Sequence, residues 1–592
     1  MNTLVSDILV IGAGAAGLQA ATECASRGLQ VTVLDKGVIG NDCATVSAKG
    51  LGAVGRWSPP GDSPDVHIED TLKSGCYIND PALVEMMARR AESVLMDLES
   101  RGMPFDRNPD GSWNVHGTTA GHRYPRNIGF SDITGKMFID TLVADARRRR
   151  VQMLRDYLVV SLLAGPDGVM GALALDVTGG EFAVFRAKAI VIATGGIGQL
   201  YPLTSNCLQN TGDGIALALR AGISGRDLEF VQFYPATVVY PLTLRSMNTN
   251  SIGLGAQLKN RDRHRFMLDY EPEKLEEVTR DRLAQCIYNE IISGRGTEHR
   301  GVYLDATVVP AGVYSTRIPS EWNLCVKAGF DLTRDSLEVA PSAHYSMGGI
   351  RIDTSTGTSI PGLFACGECS AGVNGANRLA NNSLTEVVVM GKVAGETAGK
   401  YARENGFAGF DARSAEEPYD WVSRHLSAPA SAPWIREARE AIRSAMWEGV
   451  GITRTAAGIE DARKRLSELR HAAAGGFRLG SRGSQTSEGY RATRGGAGAH
   501  ASRANPGRMN KDLVLAIETD FMLTVASAIA EAAAVRTESR GAHYRSDFPK
   551  QDPSWTRNID VVWRSRCPGS GDGEFVTTTG PVLSAGTGGG RA

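Results

Sequence analysis

The chain has 592 residues, more than one hydrophobic core organises, so about two to four domains are expected. Its 42% apolar and 22% charged residues are the composition of an ordinary globular protein. A net charge of -1 gives no electrostatic basis for capturing nucleic acid or an anionic membrane.

From the N-terminus, residues 7–11 form a short Ile/Val-rich run of the kind that makes a buried parallel strand. No basic residue precedes Arg27, which argues against a signal peptide. Gly12-Ala13-Gly14-Ala15-Ala16-Gly17 follows, then an Ala-rich helical stretch over 18–27 and a second β-branched run over 30–34 that ends at Asp35. Strand, glycine turn, helix, strand, acid is the context that makes this motif a dinucleotide site. Gly12 permits the turn, Gly14 lets the backbone approach a pyrophosphate, and Gly17 lets helix and strand pack closely. The helix N-terminus faces the phosphates, and Asp35 accepts from ribose hydroxyls.

Residues 187–194 read as another buried strand, ending in Gly195-Gly196, and 361–368 as a strand closing in a glycine turn at Glu368. A nucleotide domain split by a long insertion is the plan of many FAD proteins, so FAD is the expected cofactor. Leu513, Ile517, Phe521, Val525 and Ala528 recur at helical spacing. The apolar run 521–535, interrupted by Glu531, falls short of the roughly 20 residues a membrane span needs, so no membrane insertion is expected. The segments 472–507 and 567–592 read as flexible, rich in Gly with Arg or Thr/Ser. Nine scattered cysteines read as reduced thiols, Cys366 and Cys369 as a turn, no metal site is expected, and the cytoplasm is the expected location.

Longer segments then carry a resemblance. They are Thr211-Gly212-Asp213-Gly214, Glu229-Phe230-Val231-Gln232-Phe233, Arg265-Phe266-Met267, Arg280-Asp281 and Tyr303-Leu304-Asp305. The strongest are Ala343-His344-Tyr345-Ser346-Met347-Gly348-Gly349 and Gly375-Ala376-Asn377-Arg378-Leu379-Ala380-Asn381-Asn382-Ser383-Leu384, with Glu538-Ser539-Arg540-Gly541-Ala542-His543 near the end. The sequence resembles the flavoprotein subunits of succinate dehydrogenase and fumarate reductase, a family that includes L-aspartate oxidase. The resemblance implies an α/β fold: a Rossmann-like FAD-binding domain (1–230 and 341–405) interrupted by a capping domain (231–340). A helical C-terminal domain (406–552) and a flexible tail (553–592) follow.

It also implies FAD contacts at Gly12, Gly14, Ala15, Gly17, Asp35, Lys36, Thr45, Ala48, Gly50, Ala193, Gly195, Asp213, Glu368, Asn382, Ser383 and Leu384. The last three would start a helix, capped by Asn and Ser, aimed at the flavin N1–C2=O edge. Arg378 matches the family's carboxylate-binding arginine, with His344 sharing that carboxylate. The covalent histidine of some members is replaced by Ala44, so FAD is expected to be non-covalent. The family's His-Pro-Thr reads Tyr234-Pro235-Ala236, its usual histidine before Gly-Ala-Asn is Asn374, and counting back from Arg265 places its proton-shuttling arginine at Ile252 and a glutamate at Leu254. Tyr234, or Arg245 by another loop path, is then the candidate acid.

These matches and losses imply an FAD oxidoreductase moving a hydride between flavin N5 and a carboxylate-bearing small molecule other than succinate. An aspartate-oxidase-like amine oxidase using O2 is an alternative. So is an electron-transfer protein without substrate chemistry, docked on an iron–sulfur or other redox partner.

Overall fold

The computed structural model describes residues 2–117, 121–479, 511–565 and 573–582. β1 (Asn2–Ile11) runs through the glycine turn into α1 (Ala15–Ser26), and β2 (Val31–Asp35) returns parallel to β1. Ile8 to Ile11 are all buried, as in a central parallel strand with neighbours on both sides, so no position faces water. β3 (Gln152–Arg155), β4 (Tyr157–Gly165), β5 (Gly168–Asp176) and β6 (Phe182–Ile192) complete the order β3-β2-β1-β6-β5-β4. A seventh strand, Leu363–Ala365, pairs parallel with the end of β6. The chain therefore leaves this sheet after β6 and returns to it some 170 residues later, as a split domain requires.

The intervening segment leaves through β7 (Gly225–Arg226) and builds an antiparallel sheet of β8 (Val231–Tyr240), β9 (Gln257–Lys259), β10 (Val302–Asp305) and β11 (Leu337–Ser346), ordered β8-β11-β10-β9. With α2 (Arg280–Glu290) and α3 (Pro319–Lys327) this lobe buries its own core, including Val238, Phe266, Leu304 and Val339. β8 and β11 are also the two strands by which the chain enters and leaves the lobe. α4 (Asn382–Glu404) then packs on α1 against the FAD-domain sheet.

α5 (Ile435–Val450), α6 (Ala456–Ala472) and α7 (Lys511–Val535) pack together as the helical layer. α7 is longer than the 521–535 run suggests. By length and composition its 25 residues suffice to cross a membrane, yet 78% of its most apolar window is buried inside this fold. The segment 472–507, expected to be flexible, begins with packed residues: Phe477 is fully buried, its ring stacked on His425 at 5.6 Å. Residues 480–507 lie outside the described residues.

The expected flexible tail is corrected in part. β12 (Arg557–Ser565) and β13 (Gly573–Pro581) form an antiparallel hairpin, and β12 pairs with β7. Asp227 accepts from Asn558 Nδ2 (2.6 Å) and from the Ile559 amide (2.9 Å), and Asp560 pairs with Arg226 (2.9 Å). The Gly/Thr composition hid a strand whose Ile559 and Val561 are wholly buried. Residues 583–592 lie outside the described residues.

Candidate active site

Two adjoining clefts of about 830 and 960 Å³ run from the β1 turn to the underside of the capping lobe. The first is lined by Gly12, Gly14, Ala15, Asp35, Lys36, Thr45, Ala193, Gly195, Asp213 and Glu368, ten of the expected FAD contacts. Gly12 has φ +104°, and a Cβ there would stand 2.4 Å from the Ala193 carbonyl oxygen. A Cβ on Gly17 would meet the Gly12 carbonyl oxygen at 2.0 Å, so Gly17 serves helix–strand packing and does not line the cleft. In front of Gly14 nothing lies nearer than 3.9 Å, which is the room a diphosphate needs.

Polar groups in this cleft fit a dinucleotide. Asp35 accepts from the amides of Ala13 (2.7 Å) and Gly37 (2.8 Å), which fixes it at the end of β2. Burial pushes the Glu368 carboxyl up to about 7, and buried Asn210 Nδ2 has no partner among the described residues. Both suit the hydroxyl-rich chain of a flavin nucleotide. Lys36 is bound by Asp213 (2.8 Å) and by Glu518 of α7 (2.7 Å). Burial alone would lower its ammonium, but the two carboxylates outweigh it and raise it.

Ala44 and Thr45 line both clefts, and Ala48, Gly50, Ser383 and Leu384 line the second. Asn382 does not. Its buried amide bonds His67 (2.9 Å) and Thr71 (3.0 Å) instead of capping α4. Asn381 sits at the N-cap with φ +64° and no side chain caps the first turn, which corrects the expected capping by Asn and Ser. An uncapped helix end facing the cleft keeps its N–H groups and partial positive charge for a bound group.

The second cleft brings together Arg378, His344 and Tyr234, as the sequence suggested, and adds Arg280 from the start of α2. Arg378 lies 4.7 Å above the Tyr345 ring, donates to Gln232 Oε1 (2.9 Å), and keeps a buried Nε without a partner. Arg280 stands 5.2 Å from the Tyr234 ring. Neither arginine has a carboxylate partner among the described residues. Burial, then repulsion from Arg280, pulls Arg378 down to about 10. Burial lowers Arg280 as well. His344 shares a 2.7 Å hydrogen bond with Ser205 Oγ, and burial with the two guanidiniums holds it well below its usual value, hence neutral. One buried guanidinium and one half-buried guanidinium, neither paired with an anion among the described residues, leave the site short of negative charge, which a carboxylate ligand supplies.

Tyr234 is pushed up to about 12 by burial, and its hydroxyl donates to the Thr249 carbonyl (2.8 Å) with Asn250 Oδ1 at 3.1 Å. Arg245 is exposed and does not line the cleft. Ile252 and Leu254, the positions where the sequence count puts a lost arginine and glutamate, lie on the 3-10 turn Ser251–Leu254 and pack against the capping core. The arginine facing the cleft is instead Arg280, so the expectation that the cleft lacks a second arginine is corrected. Asn374 is buried away from the cleft, donating to Glu386 (2.7 Å). Arg280 was visible in the Arg280-Asp281 motif, but nothing local in the sequence aims a helix-start arginine at a cleft.

An FAD binding domain family model matches residues 7–384, and a fumarate reductase flavoprotein C-term model matches 499–571. One subunit of the fumarate reductase (CoM/CoB) of Methanothermobacter marburgensis is 36% identical over 559 residues, covering 93% of this chain and 96% of that protein. An L-aspartate oxidase of Nostoc sp. is 33% identical, with 93% and 92% covered. The E. coli quinol fumarate reductase FrdA structure superposes with a TM-score of 0.86 at 29% identity, over 100% of this chain and 99% of that one. The chain therefore belongs to the flavoprotein family of succinate dehydrogenase, fumarate reductase and L-aspartate oxidase, as an FAD-dependent oxidoreductase of the fumarate reductase type.

Proposed function

We propose that this flavoprotein moves a hydride between flavin N5 and a carbon next to a carboxylate, on a small dicarboxylate of the fumarate type. The carrying observation is the pair of cleft-facing arginines, Arg280 and Arg378, without a carboxylate partner among the described residues. FAD supplies the two-electron chemistry when bound. Arg378 clamps one substrate carboxylate through a fork held by Gln232, and neutral His344, oriented by Ser205, adds a hydrogen bond. Clamping fixes the reacting carbon and offsets negative charge that builds beside it. Arg280 holds the proton, at a guanidinium nitrogen, that passes to the neighbouring carbon. Tyr234 supports this role, because its own hydroxyl proton is directed to Thr249 and its ring lies against Arg280.

The relative from M. marburgensis, named as one subunit of a fumarate reductase, supports both this substrate class and a partner protein that exchanges electrons with the flavin. A second reading, a carboxylate with an uncharged polar group at its far end, is favoured by Asn248, Asn250 and Tyr234 in the opposite wall. FAD is held without a covalent bond. Ala44 offers no nucleophile, and burial pushes the neighbouring Cys43 thiol up to about 12.

The test is anaerobic: reduce the FAD-loaded protein, add fumarate, and follow the flavin absorbance. Reoxidation supports the fumarate reading; none, with FAD still bound, overturns it and favours the second. Peroxide release on adding L-aspartate would instead mark an amine oxidase. Denatured protein should release all its FAD, and a flavin adduct in its mass spectrum would refute non-covalent binding.

A further inference from the structure

The wall opposite Arg378 is held by one carboxylate from the capping lobe. Glu321, in the first turn of α3, is 1% exposed. Its Oε1 accepts from the hydroxyls of Thr249 and Ser251, and its Oε2 from the Asn250 amide at 3.0 Å. Residues 249 and 250 are those that bind the Tyr234 hydroxyl, and Asn250 lines the cleft. The position of the wall is thus set by Glu321, although Glu321 itself does not line the cleft.

The same carboxylate is reached from the other domain. Lys49, in the FAD-domain loop between the 3-10 turn Ala44–Ser47 and the strand Leu51–Gly52, pairs with Glu321 Oε2 at 3.3 Å. One residue earlier, Ser320 donates through its amide (2.9 Å) and its hydroxyl (2.7 Å) to Asp132 of the FAD domain. The start of α3 is therefore strapped to the FAD domain at two adjacent residues. Lys49 is 31% exposed at the cleft rim, so its pair is part-screened and reversible, whereas the bonds from Glu321 to its own lobe are buried.

We propose that Glu321 is a positioning residue that couples closure of the capping lobe to the shape of the substrate wall, with Lys49 and Asp132 as the two catches. When the lobe is closed, Lys49 and Asp132 engage the start of α3, and the 249–251 turn is pressed to its place over the cleft. When they release, the wall retreats with the lobe. The argument rests on the proposed function only in taking the second cleft as the substrate site.

The test uses full-length, FAD-loaded protein carrying Lys49→Met, Asp132→Asn, Glu321→Gln, or Lys49→Met with Glu321→Gln. Iodide quenching of the flavin fluorescence reports opening and needs no turnover. Fumarate reduction by reduced methyl viologen reports the wall. Each catch variant should raise the quenching constant several-fold. Each should also raise KM about two- to fivefold with a smaller fall in kcat, the scale of losing one part-screened ion pair (Lys49) or one pair of hydrogen bonds (Asp132). The double variant should add nothing to Glu321→Gln, since both act through one contact. Unchanged quenching in Lys49→Met and Asp132→Asn, or additive effects in the double variant, overturns the proposal. If Glu321→Gln does not fold, those two variants still decide it. A wild-type protein inert toward fumarate defeats the substrate reading and leaves the quenching result to stand.

Discussion

At the scale of single residues, the site is defined by charges left unpaired. Most buried arginines here have carboxylates; Arg126, for example, holds both Asp62 (2.7 Å) and Asp70 (2.6 Å). Arg454, also fully buried, bonds carbonyls and His543 instead, whereas buried Arg378 and half-buried Arg280 lack a carboxylate partner at the cleft where a carboxylate ligand is proposed. Their roles should separate in kinetics. Arg280→Lys should lower kcat by about 10²–10⁴ with FAD content and KM little changed, as loss of a proton-transfer group does. Arg378→Ala should raise KM steeply as well, and steady-state kinetics with equilibrium dialysis of FAD distinguishes them. Equal effects of the two on KM would contradict the division of labour. The sequence revealed Arg378 and His344 because each lies in a long matching segment. It misplaced the second arginine because the 240–255 loop carries few such landmarks, and only packing brings the start of α2 over Tyr234.

At the scale of elements, the glycine turn was legible because its rules are local: Gly12 has no room for a Cβ, and Asp35 stands where β2 must end. The start of α4 was misread, since Asn382 obeys tertiary demands and bonds His67 and Thr71 rather than capping its helix. Equally invisible was the tie between the first domain and α7. Lys36, Asp213, Glu518 and Arg439 form a buried ion cluster behind the adenosine end of the FAD cleft. Glu518→Gln removes one counter-charge from Lys36 and leaves Arg439 without its partner. It should cost about 3–5 kcal/mol of stability, the scale for breaking a buried pair, and weaken FAD retention. Melting curves and FAD release on dialysis check this; a normal Tm with normal retention would make the cluster incidental.

At the scale of the whole molecule, the chain's end returns to the point where it first left the FAD domain. β12 pairs with β7, and Arg536 binds Glu229 at 2.7 Å, just before β8 carries the chain into the capping lobe. Burial, then the nearby Glu229, raises the carboxyl of Asp227 in this junction. A folded value above the unfolded one, about 3.9, means the native state binds the extra proton in that interval. Stability from this group is therefore lost as pH rises through the raised value. Thermal melts at pH 5 and pH 8 should show a smaller drop for Asp227→Asn than for the parent, and an equal drop would deny Asp227 that role. The composition of 553–592 concealed this closure, for the alternation in β12 and β13 is short and set among Gly and Thr. The Lys36–Glu518 contact, 482 residues apart in sequence, has a further consequence for biogenesis. At about 5–20 residues/s of synthesis, the first half of the nucleotide cleft waits on the ribosome for roughly 25–100 s before its counter-charge emerges, so flavin loading is a late event and nascent chains that stop short of α7 leave the ribosome as poor apoproteins.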